Sequence, residues 1–105
     1  MGNRIYIDEV YKEDSKLYGF HAYDDHESST AFNWEKTPDD DIDWFYAILT
    51  CEYGYPDAFG ELIQFARECE KGITIRNTYY DWSELEPTYK KAMLANLSPP
   101  INPPQ

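Results

Sequence analysis

Long hydrophobic runs are missing from this sequence, and basic residues are scarce. The apolar stretches are only a few residues long, whereas a bilayer span needs about 20. No membrane-spanning helix is expected. The start, Met1-Gly2-Asn3-Arg4-Ile5, carries no hydrophobic signal segment, and position six is Tyr6 rather than the Ser or Thr of a myristoylation site. Cysteine is nearly absent too. Cys51 and Cys69 are eighteen residues apart and outside any CxxC pair. These features lead to the expectation of a cytoplasmic protein whose two thiols are buried as small hydrophobes.

The shortage of bases excludes more. Nine Lys and Arg stand against 20 Asp and Glu, a formal net charge of −11. Neutralising phosphates takes Lys and Arg, so direct binding to nucleic acid or to an anionic membrane is disfavoured. The natural complement is a basic protein surface. Catalytic signatures are missing as well: there is no GxSxG, HExxH, Walker loop or GxGxxG. Paired carboxylates serve glycoside chemistry only within a cleft around a sugar chain, which so short a chain rarely builds.

What the sequence does hold is enough for one fold. Its 105 residues suit a single domain, and 42% hydrophobic with 17% aromatic content argues against general disorder. At this size folding buries roughly 65% of the surface of the open chain, enough for a core without metals or disulfides. The expected domain covers residues 1–97. The proline-rich residues 98–105 are expected to form an extended, mobile tail.

Charge is unevenly distributed along the chain. Residues 1–61 hold fifteen acids and four bases, whereas residues 62–105 hold five of each. Three clusters carry most of the excess: Asp8, Glu9, Glu13 and Asp14; Asp24, Asp25 and Glu27; then Asp39, Asp40, Asp41 and Asp43.

Patterning gives the element order. In Arg4–Tyr11, Ile5 and Ile7 alternate with Tyr6 and Asp8, the period of a strand with one buried face. Lys16–Tyr23 continues as a second strand, with Tyr18, Phe20 and Ala22 on one side and Leu17, His21 and Tyr23 on the other. Glu13-Asp14-Ser15 joins them as a hairpin turn. Residues 24–31 read as a loop, and Phe32-Asn33-Trp34 as a short third strand. Thr37 is the expected N-cap of a helix, with Pro38 at its first position and acids in its first turn. Ile42, Phe45, Tyr46 and Leu49 carry that helix to about Glu52. A second helix from Asp57 has Phe59, Leu62, Ile63, Ala66 and Cys69 as its apolar stripe, with Gly72 as its C-terminal cap. Ile73–Tyr79 reads as one strand. Ser83-Glu84-Leu85-Glu86 has capping-box spacing and opens a last helix through about Leu97, with Pro87 in its first turn. The expected fold class is α+β: a small antiparallel or mixed sheet, an N-terminal hairpin plus one later strand, against about three helices.

Each candidate site has a plain structural alternative. Asp39-x-Asp41-x-Asp43 resembles the first half of a calcium loop. Trp44 stands where the loop needs glycine, however, and Thr50 where it needs a bidentate Glu. His21 and His26 flank Asp24-Asp25, but their spacing fits no metal-ligand pattern, so neither metal nor cofactor is expected. Acids in a first helical turn compensate the dipole by roughly 0.3–1 kcal/mol each, which is reason enough for Asp39 to Asp43 without any partner. Asn96-Leu97-Ser98 matches a glycosylation acceptor pattern only by chance, with Pro99 following.

Ten Tyr and three Trp exceed what this core requires. Such aromatics concentrate at binding hot spots and meet Arg and Lys through cation–π contacts. The expected function is therefore a non-enzymatic binding module that docks an acidic, tyrosine-rich face on a basic protein, such as a nucleic-acid-binding protein or nuclease. Inhibitors and antagonists of the toxin-immunity and phage anti-defence kinds, nucleic-acid mimics among them, belong to this physical class. The expected contact residues are Asp39, Asp40, Asp41, Asp43, Asp24, Asp25, Tyr53 and Tyr55. The alternatives are a self-assembling homo-oligomer and, behind it, a small ligand-binding or metal-dependent enzyme domain centred on His21. Monomer and homodimer both remain compatible with the sequence.

Overall fold

The alternation in the first two strands places Ile5, Ile7, Phe20 and Ala22 on one face, and the rest of the core assembles on that face. In the computed structural model, which describes residues 4–97, the elements run β1 (Ile5–Lys12), β2 (Leu17–Tyr23), β3 (Ser28–Trp34), α1 (Asp41–Leu49), α2 (Asp57–Cys69), β4 (Ile73–Ile75), β5 (Thr78–Tyr80) and α3 (Trp82–Leu97). The expected tail, 98–105, lies outside the described residues. The sheet order is β3-β2-β1-β4-β5. Strands β1 and β4 are parallel, and the other pairings are antiparallel. The class is α+β, as expected, but the mixed sheet has five strands, where the patterning indicates a hairpin, a short third strand and one later strand.

One apolar core joins the layers. Ile5, Ile7, Phe20, Ala22, Ile73 and Ile75 face Trp44, Phe45, Ile48 and Leu49 of α1, Phe59, Leu62, Ile63 and Ala66 of α2, and Trp82, Leu85 and Ala92 of α3, all buried. Burying each large side chain contributes about 1.5–3 kcal/mol. No helix among the described residues is long and apolar enough to cross a membrane.

Several local readings are corrected. The connection after β2 spans only residues 24–27. Asp24 folds it by accepting from the backbone N–H of His26 and of Glu27, both at 2.7 Å, so β3 starts at Ser28. Ser28 and Thr30 hide a strand because they lie on its watered side. The segment Ile73–Tyr79 is two strands, not one. Arg76 and Asn77 adopt φ of 50° and 77°, the positive pair that a two-residue I′ hairpin turn requires.

The helix ends shift too. Asp40, not Thr37, caps α1, its carboxylate accepting from Asp43 N–H at 2.9 Å. Thr37 is buried, its hydroxyl donating to Glu9 Oε2 at 2.5 Å. Helix α1 ends at Leu49, where Thr50 turns its hydroxyl onto the Tyr46 carbonyl at 2.9 Å. Glu70, at φ 53°, closes α2 instead of Gly72, with Lys71 N–H reaching the Ala66 carbonyl at 2.9 Å. Gly72 serves a different need: a Cβ there would lie 2.4 Å from the Tyr79 ring and the Tyr80 carbonyl. The capping box of α3 is Asp81 and Glu84, two residues earlier than read, the Glu84 carboxylate accepting from Asp81 N–H at 3.2 Å. Pro87 consequently sits inside the helix. Cys69 is exposed and Cys51 half-buried, against the expectation of two buried thiols.

Candidate binding surface

The I′ turn carries Arg76 to the entrance of α1, where its side chain gathers four groups. Its Nε lies 3.0 Å from Asp41 Oδ1, and its Nη1 lies 3.4 Å from Glu9 Oε1. Its Nη2 donates to the Pro38 carbonyl at 2.6 Å, and the guanidinium lies 4.4 Å from the centre of the buried Trp44 ring. Tyr80 donates its hydroxyl to Asp41 Oδ2 at 2.7 Å. That bond to a carboxylate, with desolvation and the surrounding negative charge, pushes the Tyr80 phenol up to about 12. Glu9 and Asp41 are thus both engaged within the fold, sharing the one guanidinium. Arg76 was not singled out from the sequence, although Asn77 between the strand-forming triplets Ile73–Ile75 and Thr78–Tyr80 is a residue type that tolerates the positive φ of a turn.

The other aspartates of this cluster remain open. Asp40 and Asp43 are exposed, and Asp39 has 94% of its side chain in solvent, with Lys36 Nζ 3.3 Å away at the surface. Exposed pairs of that kind contribute little. Asp24 is held in its own turn and Asp25 is exposed. These two follow β2, whereas Asp41 is tied to the end of β4, and β1 runs between those strands. The structure therefore does not bring the 24–25 and 39–43 groups into one cluster. Tyr53 stands at the tip of the α1–α2 loop with 77% exposure, whereas Tyr55 is half-buried edge-on against Phe59, ring centres 4.9 Å apart. Burial raises the Tyr55 phenol above its ordinary range.

A second surface is the back of the sheet. All buried strand side chains point to the helices, and no described helix packs on the opposite side. On that side Tyr6 stacks on Tyr23 at 5.1 Å, and Tyr23 stacks on His21 at 5.0 Å. Tyr23 donates to Asp8 Oδ2 at 3.1 Å; burial and this carboxylate raise its phenol. His21 Nδ1 and Thr30 Oγ1 are 2.7 Å apart. Lys12 Nζ lies 5.6 Å from the centre of the ring of Phe32, the residue opposite Gly19 in the β2–β3 register. His21 thus belongs to a flat aromatic ladder rather than to a cleft.

The clefts have other linings. One of about 620 Å³ lies between the end of α2 and the start of α3 and is edged by Arg67, Glu70, Asp81 and Glu86. Another, of about 190 Å³, holds Asp24, His26, Glu27 and Glu61. The neighbouring Glu61 carboxyl raises the Glu27 pKa, chiefly by favouring a hydrogen bond with its protonated form. No group of three His, Cys, Asp or Glu among the described residues is arranged to hold a metal ion. No family model, no curated protein and no solved structure significantly matches this chain.

Proposed function

We propose that the protein is a non-enzymatic binding module that docks the entrance of α1 on a basic surface of another protein, in the manner of an inhibitor or antagonist. The observation that carries this reading is the division of labour among the acids there. Arg76, with the Thr37 and Tyr80 hydroxyls, engages Glu9 and Asp41 within the fold, leaving Asp39, Asp40 and Asp43 facing solvent. An Arg- or Lys-rich partner, such as a nucleic-acid-binding protein or nuclease, meets them with complementary charge. Such complementarity acts chiefly on the rate of association.

The test uses Asp39→Lys with Asp43→Lys, because Asp40 is the N-cap and its loss would cost about 1 kcal/mol of stability. Affinity capture from an extract of the native host is compared at roughly 50 and 300 mM salt. The wild-type chain retains basic proteins at the lower salt and releases them at the higher. The double variant retains at least about tenfold less. Equal capture by both chains at both salts defeats the proposal.

A further inference from the structure

The back of the sheet differs from the rest of this acidic molecule in its charge. Its strands present Tyr6, Tyr23, His21 and Phe32 outward. Among the described residues, the outward strand positions hold one acid, Asp8, and one base, Lys12, which offset each other. A chain of net charge −11 therefore has one broad face that is close to neutral and rich in rings. A solvated sheet face ordinarily alternates polar side chains outward.

We propose that this face is where a second copy of the chain packs, sheet against sheet. Charge decides the occupant. A basic partner gains nothing from a neutral face when exposed carboxylates lie elsewhere, and nucleic acid is repelled by the whole molecule. A second copy carries the same excess of acid and meets the first without opposing charges only across such a face. The five strands hold 28 residues. At about 4.8 Å between strands and 3.3 Å per residue, that is a projected area of roughly 450 Å². Two faces hide about 900 Å² before side-chain relief is added, near the roughly 1,000 Å² of a specific interface. Aligned sheets pack about 10 Å apart, a gap that interdigitating tyrosines fill. This inference stands apart from the docking role of α1 and predicts the opposite response to salt.

Sedimentation equilibrium of the full chain at roughly 100 μM, at about 50 and 500 mM NaCl, tests it. The expected result is a dimer that tightens at the higher salt, because screening removes the repulsion between the two copies. Thr30→Glu puts a carboxylate on each facing sheet and raises the dimer Kd at least about tenfold, with the helical and strand signal in circular dichroism unchanged. If that variant does not fold, Lys12→Glu at the end of β1 makes the same test. Either a monomer at both salts, or a dimer that salt dissociates or that both variants leave intact, overturns the proposal.

Discussion

Tyr80 is the residue whose chemistry the fold changes most clearly. Its hydroxyl donates to Asp41, and its pKa rises from 10.0 to about 12. Because the folded value lies above the unfolded one, the native state holds this proton more tightly. The associated stability is complete below about pH 10, and it declines as pH rises from 10 toward 12. A spectrophotometric titration of the phenols should show one class ionising near 12, and Tyr80→Phe should remove one equivalent from that class. If the variant leaves the late-titrating class intact, the bond to Asp41 does not govern it. This bond also shows what the sequence conceals at this scale. Asp41 stands in a run of identical neighbours, and nothing in the run distinguishes the one that turns inward. Its partners, Arg76 and Tyr80, are thirty-five and thirty-nine positions away. The β4–β5 hairpin brings them together, so the pairing became visible only with the topology.

At the scale of elements, periodicity was informative and boundaries were less so. The alternation of Ile5 and Ile7, and of Phe20 and Ala22, correctly identified the buried face of β1 and β2. The stripe Phe59, Leu62, Ile63 and Ala66 likewise identified the packed face of α2. Elements were missed where turns are made by side chains rather than by glycine. Asp24 closes the β2–β3 turn, Asn77 supplies a positive φ, and Glu70 takes the left-handed cap position. The sheet has one position where glycine is required by space. A Cβ on Gly19 would lie 1.8 Å from the Ala31 carbonyl oxygen and 2.8 Å from Phe32 Cα, where the β2–β3 register shifts. Backbone cannot swing aside as a side-chain tip can. Gly19→Ala should therefore cost about 2–4 kcal/mol in urea unfolding, beyond the 1–3 kcal/mol typical of overpacking against side chains. A change below about 0.5 kcal/mol would mean that β3 slides away freely, and the bulge would then have no fixed geometry.

For the whole molecule, charge is the dominant fact, and the fold offsets only part of it. Arg76 shields two acids, and a few surface pairs such as Lys36–Asp39 and Lys90–Glu86 shield others weakly. Folding draws the remaining carboxylates closer than they lie in the open chain, so repulsion opposes the native state. Where two acids meet, as at Glu27 and Glu61, the raised Glu27 pKa adds a pH dependence of the same sign. A raised folded value gives stability that is present below the ordinary carboxylate range and lost as pH rises. At neutral pH the chain should accordingly gain from screening. Raising NaCl from roughly 10 to 200 mM shortens the Debye length from about 30 Å to under 8 Å. We expect Tm to rise by about 4–8 °C, equivalent to about 1 kcal/mol for a domain of this size. Association between copies would also raise Tm with salt, so the scan belongs at two protein concentrations tenfold apart, where only a dimer's midpoint moves with concentration. Asp39→Lys separates the terms further. It removes repulsion at an exposed site away from the back of the sheet, and so shrinks the salt increment without touching that face. A Tm that falls with salt would mean attractive pairs outweigh repulsion in the folded state, and the exposed acids would then be better partnered within the chain than their geometry indicates.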